Sequence, residues 1–226
     1  MGALDPATLA VVLGRPAHAP GAAVNTPVVL SSTFRSGGTA IYGRDDNETR
    51  KAFEAVLGAL EGGTALAFGS GMAAISAAVE MLPIGGAVVV AGDAYNGTRR
   101  LLHDSVARGR LTMRTADVAD TDATLAVCAE AAASRPRPGL SMPGFAGGGL
   151  LWLESPTNPL LAVADLAALI DGAHDRGLSV AVDNTFATPL LQRPLDLGAD
   201  VVVHSVTKML AGHSDVLMGA AVATST

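Results

Sequence analysis

The chain has 226 residues, with 15 Lys and Arg against 21 Asp and Glu, a formal net charge of −6, 49% hydrophobic and only 16% charged residues. This balance excludes a disordered chain, and a net negative charge without a Lys/Arg cluster excludes a nucleic-acid surface or a polybasic membrane patch. Single Cys128 cannot form an internal disulfide, no Cys/His cluster has metal-ligand spacing, and no apolar run approaches the roughly 18 residues of a membrane span. Residues 1–15 carry their basic residue, Arg15, at the end and not ahead of an apolar stretch, unlike a secretory signal. The expectation is a soluble, cytoplasmic protein built around one large domain.

In chain order, the first forty residues read as loop, interrupted by Pro6, Pro16, Pro20 and Pro27 and closed by Gly37-Gly38. They lack the apolar periodicity to fold alone, so residues 1–45 read as an arm lying across another surface. A helix is expected over Glu48–Leu60, where Phe53, Val56, Leu57 and Leu60 repeat at helical spacing and Gly62-Gly63 stops the pattern. Beyond it, short apolar runs alternate with Ala-rich helical stretches. The runs are Ala65–Phe68, Ala87–Ala91, Leu150–Leu153, Leu178–Val182 and Val201–Val203; the helical stretches are Met72–Leu82, Thr98–Ala107, Thr121–Ser134 and Ala164–Arg176. Continuous apolar strands alternating with helices predict an α/β fold, a mostly parallel sheet covered on both faces. Val216–Val222 is expected as an edge strand of either direction, and the Pro/Gly-rich Arg135–Gly149 as a surface insertion.

The residues just past each strand are chemically loaded. Phe68 leads into Gly69-Ser70-Gly71-Met72, and Ala91 into Gly92-Asp93-Ala94-Tyr95. Leu153 leads into Glu154-Ser155-Pro156-Thr157-Asn158-Pro159, Val182 into Asp183-Asn184-Thr185, and Val203 into His204-Ser205-Val206-Thr207-Lys208. Open α/β sheets bind ligands outside the carboxyl ends of their strands, so these five ends define one candidate site. One ligand that fits is a dinucleotide, because Gly69-Ser70-Gly71-Met72-Ala73-Ala74 matches G-x-G-x-x-A and Asp93 follows about twenty residues on. A nicotinamide-dependent oxidoreductase would use that pattern, but it leaves Asp183 and Lys208 without a task. Pyridoxal phosphate (PLP) engages all of them. A lysine can form a Schiff base with an aldehyde cofactor, and an aspartate can keep a pyridine nitrogen protonated. Tyr95 can stack on the ring, and hydroxyls with helix N-terminal amides can take the phosphate.

Tyr42-Gly43-Arg44, Ser70-Gly71-Met72, the Glu154–Pro159 run, Asp183-Asn184-Thr185 and Ser205-Val206-Thr207-Lys208 together resemble the Cys/Met-metabolism PLP enzymes. These are the cystathionine γ-synthase, cystathionine γ-lyase and methionine γ-lyase relatives. The resemblance, running from about Asn25 onward, implies the three-layer major domain of the aspartate-aminotransferase type (fold type I) over residues 46–226. It implies that Lys208 carries the aldimine and shuttles protons, that Asp183, followed by Thr185, pairs with the pyridine nitrogen, and that Tyr95 stacks and assists proton transfer. Asn158 is implied near the ring hydroxyl, and Ser70, Gly71, Met72, Ser205 and Thr207 around the phosphate. Tyr42 and Arg44 are implied to reach a neighbouring subunit's phosphate, in a homo-oligomer that is usually a tetramer. The implied chemistry is γ-elimination or γ-replacement on a small sulfur amino acid, and the shared cofactor residues do not separate the two.

Taken singly, each residue has a plainer reading. Lys208 could be a solvated charge, Asp183 a turn residue or helix cap, Tyr95 packing, and Arg44 a surface partner of Asp45 and Asp46. Three departures from the family pattern stand out, one of them the Arg135–Gly149 loop, which is longer than the family leads one to expect. Asn47-Glu48-Thr49 stands where the family has Asn-Pro-Thr, which alters a helix start and not the chemistry. The sequence also ends soon after Lys208, so the family's smaller C-terminal domain, with the arginine that holds the substrate carboxylate, is expected to be missing. A non-catalytic fragment that at most binds PLP or a partner subunit therefore stands beside the enzyme reading.

Overall fold

The computed structural model describes residues 4–134, 145 and 148–224. A seven-stranded sheet forms its middle layer. The strands are β1 (Thr64–Phe68), β2 (Gly86–Ala91), β3 (Leu111–Ala116), β4 (Gly149–Glu154), β5 (Ser179–Asp183), β6 (Val201–His204) and β7 (Gly219–Ala223), in the order β1-β7-β6-β5-β4-β2-β3. Six strands run the same way, and β7 alone is antiparallel to its neighbours β1 and β6. Every residue of β2, β4 and β5 is buried, as expected for strands covered on both faces. Trp152 and Leu153 in β4 and Val180 and Val182 in β5 are fully inaccessible at the centre of the core.

Helices α3 (Gly71–Glu80) and α4 (Asn96–Ala107) share one face; α2 (Glu48–Glu61), α5 (Thr121–Ala133) and α6 (Leu166–Asp175) share the other, giving three layers. Side-chain caps start most of these helices: Asn47 accepts from the Arg50 amide, Ser70 from Ala73, Asp120 from Ala123 and Asp165 from Ala168. The Asn47-Glu48-Thr49 departure thus falls on a helix start. Asn47 is the cap, and Glu48 lies in the first turn, where a carboxylate meets the positive end of the helix dipole. No helix among the described residues is long and apolar enough to cross a membrane.

Three expectations need correction. The first forty residues contain a helix, α1 (Pro6–Val12): Asp5 caps the Ala7 amide and Pro6 sits at the first helical position, where its missing N–H costs nothing. The last strand is no edge. It is β7, shorter than expected, and it lies between β1 and β6, leaving β1 and β3 as the edges. Strand β3 itself does not read as a continuous apolar run, because an edge strand needs only alternate burial and its sequence is Leu-Thr-Met-Arg-Thr-Ala. Most of the Arg135–Gly149 insertion lies outside the described residues, but its Phe145 is buried in the core.

Candidate active site

The carboxyl ends of β1, β4, β5 and β6 and the N-terminus of α4 enclose a cavity of about 210 Å³. Ten residues expected from the sequence line it: Ser70, Gly71, Met72, Tyr95, Asn158, Asp183, Thr185, Ser205, Thr207 and Lys208. Tyr42 and Arg44 do not. Arg44 lies over the Tyr42 ring at 5.0 Å and faces Asp45 at 3.7 Å, with its side chain 80% exposed.

Asp183 ends β5 at the cavity wall and is 7% exposed. Its Oδ1 accepts from the Thr185 amide at 3.1 Å and the Thr185 hydroxyl at 2.5 Å. That hydroxyl oxygen accepts in turn from the Ser205 amide at 2.8 Å, locking the β5 end to the β6 end. Burial pushes the Asp183 carboxyl above its ordinary value, opposed by the two Thr185 hydrogen bonds and by the charge of His204. Across the cavity, Ser70 caps α3, and the amides of Gly71 and Met72 take no backbone acceptor among the described residues. Such an uncapped pair at a helix start, aided by the dipole, suits an anion. A Cβ on Gly71 would stand 2.7 Å from the Ser205 Cβ, so this turn and the β6 loop can approach only because residue 71 is glycine.

The Thr207 hydroxyl is engaged elsewhere: it donates to the Met218 carbonyl and accepts from the Met218 amide, fixing the lead into β7. Tyr95, 40% exposed, stands at the start of α4. A Cβ on Gly97 would lie 2.5 Å from its ring and 2.7 Å from the Met72 sulfur, so Gly97 leaves room for that ring. Lys208 follows on the turn after β6, its amide bonded to the Ser205 carbonyl. Its side chain is exposed and makes no hydrogen bond or ion pair with any described residue.

Four lining residues were not assigned from sequence: Ile75, Glu154, Phe186 and Leu217. Glu154 is the chemically important one. It ends β4 directly opposite Asp183 in the sheet register, and its Oε2 accepts from the Tyr95 amide at 2.7 Å. Burial, then the neighbouring Asp183 charge, raise its carboxyl to about 8, with Asp93 adding and the Tyr95 amide opposing. Its place in the Glu154–Pro159 strand-end run was the available signal, but its burial depends on the pairing of β4 with β5.

Residues 7–226 match the family model described as Cys/Met metabolism PLP-dependent enzyme. The chain belongs to that family. It is 46% identical over 230 residues to cystathionine gamma-synthase of Mycobacterium tuberculosis, covering 98% of this chain and 55% of the relative. It is 41% identical over 204 residues to cystathionine gamma-lyase of Dictyostelium discoideum, covering 87% of this chain and 49% of the relative. A solved structure of cystathionine gamma synthase from Xanthomonas oryzae pv. oryzae, in complex with aminoacrylate and cysteine, superposes with a TM-score of 0.85 at 35% identity. That match covers 99% of this chain and 56% of the other. The chain thus spans about half the length of the curated relatives it matches. Membership of this Cys/Met family makes PLP the cofactor, and the nicotinamide reading of Gly69–Ala74 falls.

The cavity fits that group. A buried carboxylate raised by desolvation is relieved by a cationic ring N–H beside it, and unpaired helix amides are relieved by a phosphate. Glu154 also supplies a pH test. Its carboxyl sits at about 8 in the folded chain against 4.5 for the free group, so the folded state holds that proton more tightly than the unfolded one. The resulting stabilisation is complete below 4.5 and drains away as the pH rises to 8. Glu154→Gln keeps an acceptor for the Tyr95 amide and cannot ionise. In denaturant titrations at pH 5 and pH 8, the wild type is expected to lose about 3 kcal/mol more than the variant between the two pH values. Equal losses would show Glu154 ionising normally.

Proposed function

We propose that the protein is a PLP-dependent enzyme of sulfur amino-acid metabolism that eliminates or replaces the γ-substituent of a small amino acid, acting in the cytoplasm. One observation carries the reading: Asp183, Tyr95, Lys208 and the open amides of α3 meet around one cavity. The names of the relatives supply the reaction class. When bound, PLP offers an aldehyde to an amine and a protonated ring that draws electrons from the amino acid's α-carbon.

The chain's own residues do the rest. Asp183, oriented by Thr185, accepts the ring N–H. Gly71 and Met72 amides with the Ser70 and Ser205 hydroxyls hold the phosphate, and Thr207 supports that loop through Met218. Tyr95 would stack on one ring face and Asn158 would lie by the ring hydroxyl. Lys208 Nζ would be the amine offered to the aldehyde, and with substrate bound it would take the α-proton and return it further along the carbon chain, with the Tyr95 hydroxyl as a second proton carrier. Tyr42 and Arg44, outside their own cavity and exposed on residues 1–45, serve a neighbouring subunit's site in a homotetramer.

To test this, the PLP-loaded protein is given L-cystathionine and, separately, a γ-activated amino acid with a thiol. Keto-acid release in the first supports elimination, and a new thioether in the second supports replacement. Neither product from a folded, PLP-loaded protein would overturn the reading.

A further inference from the structure

Behind the cavity, a second row of polar side chains crosses the same strand ends. Residues pointing into the site alternate with residues pointing to the opposite face. Glu154 and Asp183 face the cavity, whereas Ser155, Asn184 and His204 sit across the neighbouring strands one register step away. Asn184 is fully buried, and so are His204 and Glu61 at the end of α2. Glu61 Oε1 is the hub: His204 Nε2 lies 2.6 Å from it and Asn184 Nδ2 donates to it at 2.9 Å. Gln192 extends the row by donating to Asn184 Oδ1 at 3.0 Å and to the Ser155 carbonyl at 3.1 Å. One connected network therefore fastens the ends of β4, β5 and β6 to α2.

We propose that Glu61 and His204 are positioning residues for the cofactor, a buried strut that fixes Asp183 and the Ser205–Lys208 turn in register from behind. The inference rests on the PLP reading above. Chain neighbours carry it: Asn184 follows Asp183 and His204 precedes Ser205, so each anchored side chain is one peptide from a site residue. Stability does not explain the pair. Replacing a buried polar pair by well-packed apolar side chains is often neutral or stabilising, and here Glu61 Oε2 and His204 Nδ1 are buried with no partner among the described residues.

The test compares PLP with an analogue whose ring nitrogen is replaced by carbon, in the wild type, Glu61→Gln and the double variant Glu61→Gln/His204→Gln. The double variant keeps amide hydrogen bonds across the pair and leaves no charge uncompensated. Loss of the partner behind a metal-ligating side chain typically costs about tenfold or more, and the same scale is taken here for the partners behind Asp183. The wild type is expected to prefer PLP over the analogue, and the variants to lose about tenfold of that preference while melting cooperatively. A folded variant with the wild-type preference overturns the proposal. Failure of both variants to fold also overturns it, since the network would then serve the fold alone. A wild type that forms no borohydride-fixable adduct with PLP overturns the PLP reading and this inference together, whereas failure of the inference alone leaves that adduct intact.

Discussion

Lys208→Ala is expected to abolish the pyridoxyl label that borohydride fixes on the wild-type chain. The sequence contains two lysines, Lys51 and Lys208, so the experiment has few competing amines. Lys51 pairs with Asp46 at 2.6 Å on α2 and does not line the cavity. Lys208 lines the cavity and is tied to no carboxylate among the described residues, so its amine is free to condense. Peptide mapping after reduction should place the label on the Lys208 peptide. Losing both the condensing amine and the base should cut turnover by about 1000-fold. Lys208→Arg, which keeps the charge and cannot condense, should behave in the same way. A label persisting in Lys208→Ala would move the chemistry off this residue.

Gly219→Ala is expected to be the most damaging single-methyl change. A Cβ there would fall inside contact distance of the Ser70 carbonyl and 2.7 Å from the Gly71 nitrogen, all of it backbone. No rotamer can relieve such a clash; β7 or the Ser70–Gly71 turn must move. Overpacking of this kind costs about 3 kcal/mol, or a fall in Tm of roughly 10 °C for a domain of this size. Because the turn that moves carries the open amides of α3, PLP affinity should fall with stability. An unchanged melt would show that β7 can shift without strain.

The parts of the fold legible in the sequence are those in which one strand or helix reports its own surroundings. Fully buried β2, β4 and β5 are largely apolar, and the polar residues at their ends contrast with that interior. Strand β3 escaped because edge burial leaves Thr112 and Arg114 among its residues. The first helix escaped because Pro6 both ends and begins helices, and only Asp5 before it separates the cases. Position across the sheet was not legible. Nothing local in Gly219–Ala223 says that it inserts between β1 and β6. The site divides similarly. Lys208, Asp183 and the Gly71 turn announce themselves by residue type at strand ends. The raised carboxyl of Glu154 requires its cross-strand neighbour Asp183, and Glu61 and His204 are 143 residues apart.

The insertion of β7 also sets an order of assembly. Among the described strands, β1 pairs with β7 alone, so residues 64–68 have no strand partner until residues 219–223 are available. During synthesis, the α2–β1 segment and the turn at Ser70–Gly71 leave the ribosome early and wait for a strand that emerges after Lys208. Pairing over such a separation is slow and exposes apolar surface meanwhile. The Ser70–Gly71 end of the cavity is therefore completed only after Lys208 has been made.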